Sequence, residues 1–473
     1  MKINRMFAFI LCLILISSIM PDVLATTEQE QGNVVACYGL DATAPYMGYG
    51  QIVENSQAVF LYERNSNTLL YTQNPDGRVY PSSLVKILTA YLAIENGNLD
   101  AVVTVREDVI EQVPLGAVTA ELLPGEQLTL RDLIYCMMVG SANDAASVIA
   151  DHICGSESAF VEMMNEYVQT IGCTATILKN PHGLHDEEQV SSVRDQARIL
   201  SEAMKNQIFR SIFGTVSYTV PATDTSPARE LTTGNYLMSK DSYYDSRVTG
   251  GRTGIGDDGH RCLATTAEAE GMELICILMG AKSTKDDKGN TLVHGGFNET
   301  KTLYDTVFDS YKIASVIYKG QPMKQVSVVD GVNEVVIGPN VETNAILPKD
   351  ASFQDLAFRY SDFYEVLKAP LKKGDLLSSV EIWHGNMCIA HTDLYAMNSV
   401  RTIQEVEAEQ EETEKKTNSN DGTGAGKIVT IIAISVFAIV AILAFVLRLW
   451  ARKKDSVPKM RDKRRRRNRG RSR

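Results

Sequence analysis

Pro81-Ser82-Ser83-Leu84-Val85-Lys86 opens an apolar run that keeps helical spacing to about residue 94 and stops at Asn96-Gly97. Glycine just past such a run is a helix stop, so the spacing predicts a helix over residues 83–94. Ser83 and Lys86 stand three apart at its start, and residues at i and i+3 share a helix face. A serine hydroxyl is a poor nucleophile until a neighbour takes its proton. A lysine can take it if burial or a nearby cation lowers its pKa. A helix N-terminus adds partial positive charge where an oxyanion would form. Alone, S-x-x-K fits equally well a capped helix with a surface lysine.

Two further segments bear on the choice. Ser141-Ala142-Asn143 follows the apolar run ending Met137-Met138-Val139-Gly140. On a loop between helices its hydroxyl can relay a proton and its amide can hold Lys86; it can equally be a helix cap. Gly251-Arg252-Thr253-Gly254 precedes a strand-like run at residues 261–266. A cation and a hydroxyl on a strand beside a cleft can grip a carboxylate, although such residues also make ordinary turns. Ser83 and Ser141 are 58 apart (141 − 83), and Ser141 and Arg252 are 111 apart (252 − 141).

S-x-x-K, S-x-N and a K-T-G-like triplet, in this order, form the signature of penicillin-binding proteins and class A β-lactamases. The resemblance extends to residues 77–95, 139–153 and 250–267, and to the loop Asn180-Pro181-His182-Gly183-Leu184. Over about residues 50–400 the chain resembles the low-molecular-mass D-alanyl-D-alanine carboxypeptidases. That resemblance implies an α/β (α+β) catalytic domain of the β-lactamase/transpeptidase type. It implies that Ser83 attacks the carbonyl between the terminal D-alanines of a peptidoglycan stem peptide, with Lys86 as general base. Ser141 and Asn143 would pass protons and position Lys86 and the substrate. Arg252, Thr253 and Gly254 would bind the terminal carboxylate end. The N–H groups of Ser83 and Ile255 would form the oxyanion hole. β-Lactams would acylate Ser83, and no metal or cofactor is implied. A β-lactamase and a non-catalytic penicillin-binding wall protein are the competing readings.

The chain departs from the family pattern twice. Arg252 stands where the family usually has Lys, and Gly296 precedes Phe297-Asn298-Glu299-Thr300 where members often carry Arg. The expectation is that Arg252 partly takes over the carboxylate grip of the absent arginine.

Around this core, residues 58–62 and 68–71 read as a hairpin. Residues 130–138, 145–154 and 158–171 read as helices, and residues 261–266 and 274–279 as buried strands. From 315 to 400, short β-rich runs alternate with turn residues, which predicts a small all-β domain. The expected organisation is a signal peptide at 1–25, a loosely ordered lead-in at 26–50 and a peptidase domain at 51–314. The β-rich domain at 315–400 follows, then an acidic linker at 401–427, extended or helical in its first half.

The chain ends point to a membrane. Lys2 and Arg5 precede an apolar run and a cleavage-like Val23-Leu24-Ala25. Residues 428–447 are 20 uncharged residues, enough to span about 30 Å of hydrocarbon as one transmembrane helix. Residues 448–473 hold 14 Lys and Arg against two acids, a tail that belongs in the cytoplasm. The catalytic part is therefore expected outside a single-pass cell-membrane anchor. The net charge of −11 less the tail's +12 leaves about −23 for the rest, which argues against a nucleic-acid partner. Eight cysteines, one of them Cys12 in the leader, show no zinc spacing. Most read as small buried hydrophobes.

Overall fold

The computed structural model describes residues 36–419 apart from 43, 49–50, 240–241, 257–258, 286–290 and 364. The expected leader, membrane span and basic tail lie outside the described residues. Among the described residues no helix is long and apolar enough to cross a membrane.

A hairpin and a three-stranded meander make the central sheet. β1 (Ala58–Glu63) and β2 (Thr68–Gln73) flank the turn expected at residues 63–67. β3 (Val248–Ile255), β4 (Arg261–Ala269) and β5 (Met272–Ala281) complete an antiparallel sheet in the order β2-β1-β5-β4-β3. The strands are apolar on both faces because both are covered. Phe60, Tyr62, Ile275, Ile277 and Met279 pack against helices on one side. These are α1 (Val85–Asn96), α2 (Leu130–Met138), α3 (Asn143–Cys154), α4 (Glu157–Thr170), α5 (Val193–Ala203) and α6 (Gln207–Phe213). Val59, Leu61, Leu263 and Leu278 pack against Phe297, Leu303, Tyr304 and Val307 of α7 (Gly295–Ser310) on the other. Side chains alternate between faces along a strand, so this sandwich fixes which way each β3 residue points.

Glu299 ties α7 to the entry of β1. Its buried carboxylate accepts the N–H groups of Glu54 (2.8 Å) and Asn55 (2.5 Å) and the Ser56 hydroxyl (2.5 Å). Truncation would leave the buried Ser56 hydroxyl and two half-buried N–H donors without their acceptor. Glu299→Ala is therefore expected to lower stability by about 3 kcal/mol, read as an earlier midpoint in chemical denaturation.

The β-rich segment begins inside the region assigned to the peptidase domain. β6 (Tyr311–Ile317) runs through the expected 314/315 boundary and pairs with β9 (Thr343–Pro348). An uninterrupted strand leaves no linker at that point. β7 (Lys324–Val326), β8 (Val335–Gly338), β10 (Leu356–Tyr360), β11 (Leu376–His384) and β12 (Met387–Ala396) form a second sheet in the order β7-β8-β12-β11-β10. Of the lead-in expected to be loose at 26–50, the described residues between 36 and 48 are packed. Cys37 N–H donates to Cys388 O (3.1 Å), Leu69 N–H donates to Cys37 O (2.7 Å), and Tyr46 Oη lies 2.9 Å from His384 Nδ1. None of the seven cysteines from Cys37 onward is in a disulfide, and all but Cys154 are buried.

The chain divides into two units. The first takes the described residues to Gln325 with Val336–Val366 and Lys373–Met397. The second takes Val326–Val335, Leu367–Lys372 and the described residues from Asn398. Within the second, the first half of the expected linker is the helix α8 (Ile403–Ser419). Thr402 and Glu405 form a reciprocal cap, Glu405 N–H to Thr402 Oγ1 at 3.1 Å and Thr402 N–H to Glu405 Oε2 at 3.0 Å. This T-x-x-E box overcomes the acidic self-repulsion at the helix start.

Candidate active site

Ser83 lies on a single 3₁₀ turn, Ser82–Leu84, that feeds α1. The residue before it is strained: Ser82 has φ +50°, in the left-handed region that a side chain disfavours. Its neighbours hold it there. Ser82 Oγ donates to Ile255 O at the end of β3 (3.0 Å). Two glycines close in from either side. A Cβ on Gly183 would lie 2.1 Å from Ser82 O, and one on Gly254 would lie 2.7 Å from both Ser82 Oγ and Ser83 N. No side chain larger than hydrogen fits at either place. The Ile255 N–H leaves its strand on the same edge as the carbonyl that Ser82 engages.

Lys86 is fully buried one turn on. Its Nζ lies 3.3 Å from Ser83 Oγ and donates to Asn143 Oδ1 (2.7 Å) and to the main-chain carbonyl of His182. Burial first, and then the Arg252 cation, hold its amine well below the ordinary lysine range; Asp144 acts more weakly in the opposite sense. A neutral amine has two N–H donors and one lone pair. Asn143 Oδ1 and His182 O are acceptors only, so they take the two donors. The lone pair is then left facing the Ser83 hydroxyl, the arrangement a general base requires.

Asn143 begins α3, and its amide is oriented by Nδ2 donating to Val118 O (2.9 Å). The loop supplying that carbonyl is fixed in turn by Asp144, whose buried carboxylate accepts the N–H groups of Ala120 (2.9 Å) and Leu122 (3.1 Å). Ser141 also sits at positive φ, +64°. Asn180 shapes the loop that offers the His182 carbonyl, accepting Gly183 N–H (2.7 Å) and donating to Leu184 O (3.0 Å). The His182 ring is held neutral, pushed down to about 3 chiefly by burial. Among the described residues no group of three or more His, Cys, Asp or Glu side chains is gathered to hold a metal.

Arg252 reaches the same cluster by another route than expected. Strand alternation sends it to the helical side of the sheet. There Arg252 is 4% exposed, and its guanidinium donates to Ser141 Oγ (2.6 Å), Met138 O (3.0 Å) and Ser83 O (3.3 Å). The carboxylate grip expected of Arg252 is not what these bonds do. They tie the Ser141 hydroxyl to the backbone carrying Ser83, and burial lowers the guanidinium to about 10, so it stays cationic. Thr253 alternates to the opposite face, where Gly234 lies close over its hydroxyl (3.4 Å from Thr253 Oγ1 to a Cβ placed there). The structure thus gathers Ser83, Lys86, Ser141, Asn143 and Arg252. A cleft lined by Tyr80, Ser83, Leu184 and Ile255 opens beside them.

Four contributors escape a reading of side-chain motifs: Ser82 by its backbone strain, Asp144 by its hold on the 118–122 loop, and the carbonyls of Met138 and His182. Only Asp144, adjacent to Asn143, leaves a mark in residue type.

Residues 48–283 match the family model described as D-alanyl-D-alanine carboxypeptidase. A D-alanyl-D-alanine carboxypeptidase from Streptomyces sp. strain K15 is 30% identical over 250 residues, covering 50% of this chain and 86% of that protein. D-alanyl-D-alanine carboxypeptidase DacF of Bacillus subtilis is 25% identical over 354 residues, 74% of this chain and 87% of the relative. The crystal structure of penicillin binding protein 5 from Haemophilus influenzae superposes with a TM-score of 0.63 at 28% identity, covering 75% of this chain and 100% of that one. With the serine, the buried amine and the third motif assembled in one place, the chain belongs to the D-alanyl-D-alanine carboxypeptidase family of serine peptidases.

Proposed function

We propose that this protein removes the terminal D-alanine from peptidoglycan stem peptides through an acyl-enzyme on Ser83. The observation that carries the assignment of roles is the buried Lys86 amine, 3.3 Å from Ser83 Oγ, with its other two partners both acceptors. Ser83 Oγ loses its proton to neutral Lys86 as it attacks the carbonyl between the two D-alanines. The oxyanion takes the N–H groups of Ser83 and Ile255. The proton returns to the leaving amine through Ser141, and free D-alanine departs. Water, with Lys86 again as base, then cleaves the ester and restores Ser83. Asn143 holds Lys86, Arg252 positions Ser141, and Thr253 with the Gly254 backbone meets the carboxylate end of the peptide.

The remaining parts fit a wall enzyme. We assign residues 1–25 to export, residues 428–447 to a membrane anchor and the basic tail to the cytoplasmic face. This places the peptidase domain and the β-rich domain outside the cell. β-Lactams, which present a comparable acyl group and carboxylate, would acylate the same serine.

The test is release of D-alanine from a stem pentapeptide, together with mass mapping of the adduct left by a labelled penicillin. D-alanine release with a lasting adduct on Ser83 is the expected result. Rapid penicillin turnover would instead make the protein a β-lactamase. An adduct on any other residue would overturn the assignment of Ser83.

A further inference from the structure

The family pattern puts an arginine where this chain has Gly296, and Arg252, the substitute expected from the sequence, bonds the protein instead. The space around Gly296 is nevertheless occupied by an arginine. A Cβ at 296 would lie 3.7 Å from Arg261 Cδ and 4.0 Å from its Cγ. Arg261 comes from the start of β4, and its stem runs where a side chain leaving α7 at 296 would have to start.

Sheet geometry brings Arg261 toward the cleft end of β3. Arg261 is directly opposite Ile255, and Thr253 is opposite Leu263. Directly opposed residues share a face, as do residues two apart. Arg261, Ile255 and Thr253 therefore project together from the α7 side, with Arg261 the diagonal neighbour of the Thr253 hydroxyl, within reach of a long side chain. The guanidinium carbon sits 4.9 Å over the Phe297 ring. That platform holds the cation without using its donors. Arg261 Nε is buried with no acceptor, and no hydrogen bond or ion pair to any nitrogen of this guanidinium occurs among the described residues. Arg261 is half-buried, so its charge is partly desolvated without an anion beside it, and a planar fork with its donors unspent is suited to a carboxylate.

We propose that Arg261 is a substrate-binding residue, whose guanidinium, steadied on Phe297 and presented beside Thr253, receives the terminal carboxylate of the D-alanyl-D-alanine peptide in place of an arginine from position 296. The proposal rests on the carboxypeptidase reading and adds to it a specificity determinant on a different element.

The experiment compares the full chain acting on diacetyl-L-lysyl-D-alanyl-D-alanine and on the same peptide with a C-terminal amide, measuring D-alanine or D-alaninamide released. The unmodified protein favours the free acid. Arg261→Met, which keeps the stem and removes the guanidinium, raises KM for the acid about 10- to 100-fold, leaves the amide little changed and so erases the preference. Gly296→Arg combined with Arg261→Ala restores the preference, because alanine removes the Cγ and Cδ atoms that lie beside residue 296. An Arg261→Met protein with wild-type KM and preference overturns the proposal. So does a folded double variant that regains nothing. If the unmodified protein releases no D-alanine and takes no penicillin on Ser83, the catalytic reading fails first and this proposal with it, an outcome distinct from either.

Discussion

Lys86→Met slows acylation of Ser83 by a labelled penicillin about 10³- to 10⁴-fold, the upper part of what a positioned general base contributes. Methionine suits the test because it fills the volume of the lysine stem within a fully buried site. The loss then reports the amine and not a cavity. The pH dependence gives the sign. Burial and the Arg252 cation hold the Lys86 amine well below its ordinary range, and only the neutral amine accepts the Ser83 proton. Wild-type acylation should therefore rise with pH through the lowered lysine pKa and level off above it. The variant should lack that step. Stability follows the same group. Between the folded pKa and about 10.5 the unfolded chain holds a proton that the folded chain does not, so wild-type stability rises with pH across that window. A variant whose acylation rate keeps the wild-type pH profile would remove Lys86 from the role of base.

The elements with a strong period were legible in the sequence. The 58–73 hairpin, the helix at Leu130–Met138 and the paired strands β4 and β5 form where the apolar spacing places them. S-x-x-K and S-x-N were legible as partners because the chemistry runs through their side chains. The direction of Arg252 was not. Which face of an all-apolar strand turns toward α1 depends on how β3 docks, and alternation alone leaves both answers open. The second acceptor for Lys86 was equally hidden, since His182 offers a main-chain carbonyl, which any residue could supply. The helix at Ile403–Ser419 could have been favoured over an extended linker from Thr402-x-x-Glu405. Its composition pointed the other way, and a local cap outweighed it.

Arg252 separates two roles that the motif alone confounds, holding the substrate and tuning the base. The structure favours the second: the guanidinium bonds Ser141 Oγ, Met138 O and Ser83 O, and its charge depresses Lys86. Arg252→Gln removes the charge. Lys86 then holds its proton to higher pH, and each unit of that rise costs a factor of about ten in neutral amine on the acid side of the profile. Acylation near neutral pH is expected to fall on the order of 10-fold or more, with the rate recovering part of the loss at alkaline pH. Arg252→Lys keeps the charge and can still reach Ser141 Oγ. It should leave the position of the profile and the KM for a D-alanyl-D-alanine peptide near wild type, because the bonds of the lost fork run to Ser141 Oγ, Met138 O and Ser83 O. A merely structural arginine would lower the rate equally at every pH in the Gln variant. An arginine that held the substrate would raise KM in the Lys variant, since an ammonium cannot reproduce a two-point grip. The pH profile and the KM together therefore decide what this position contributes.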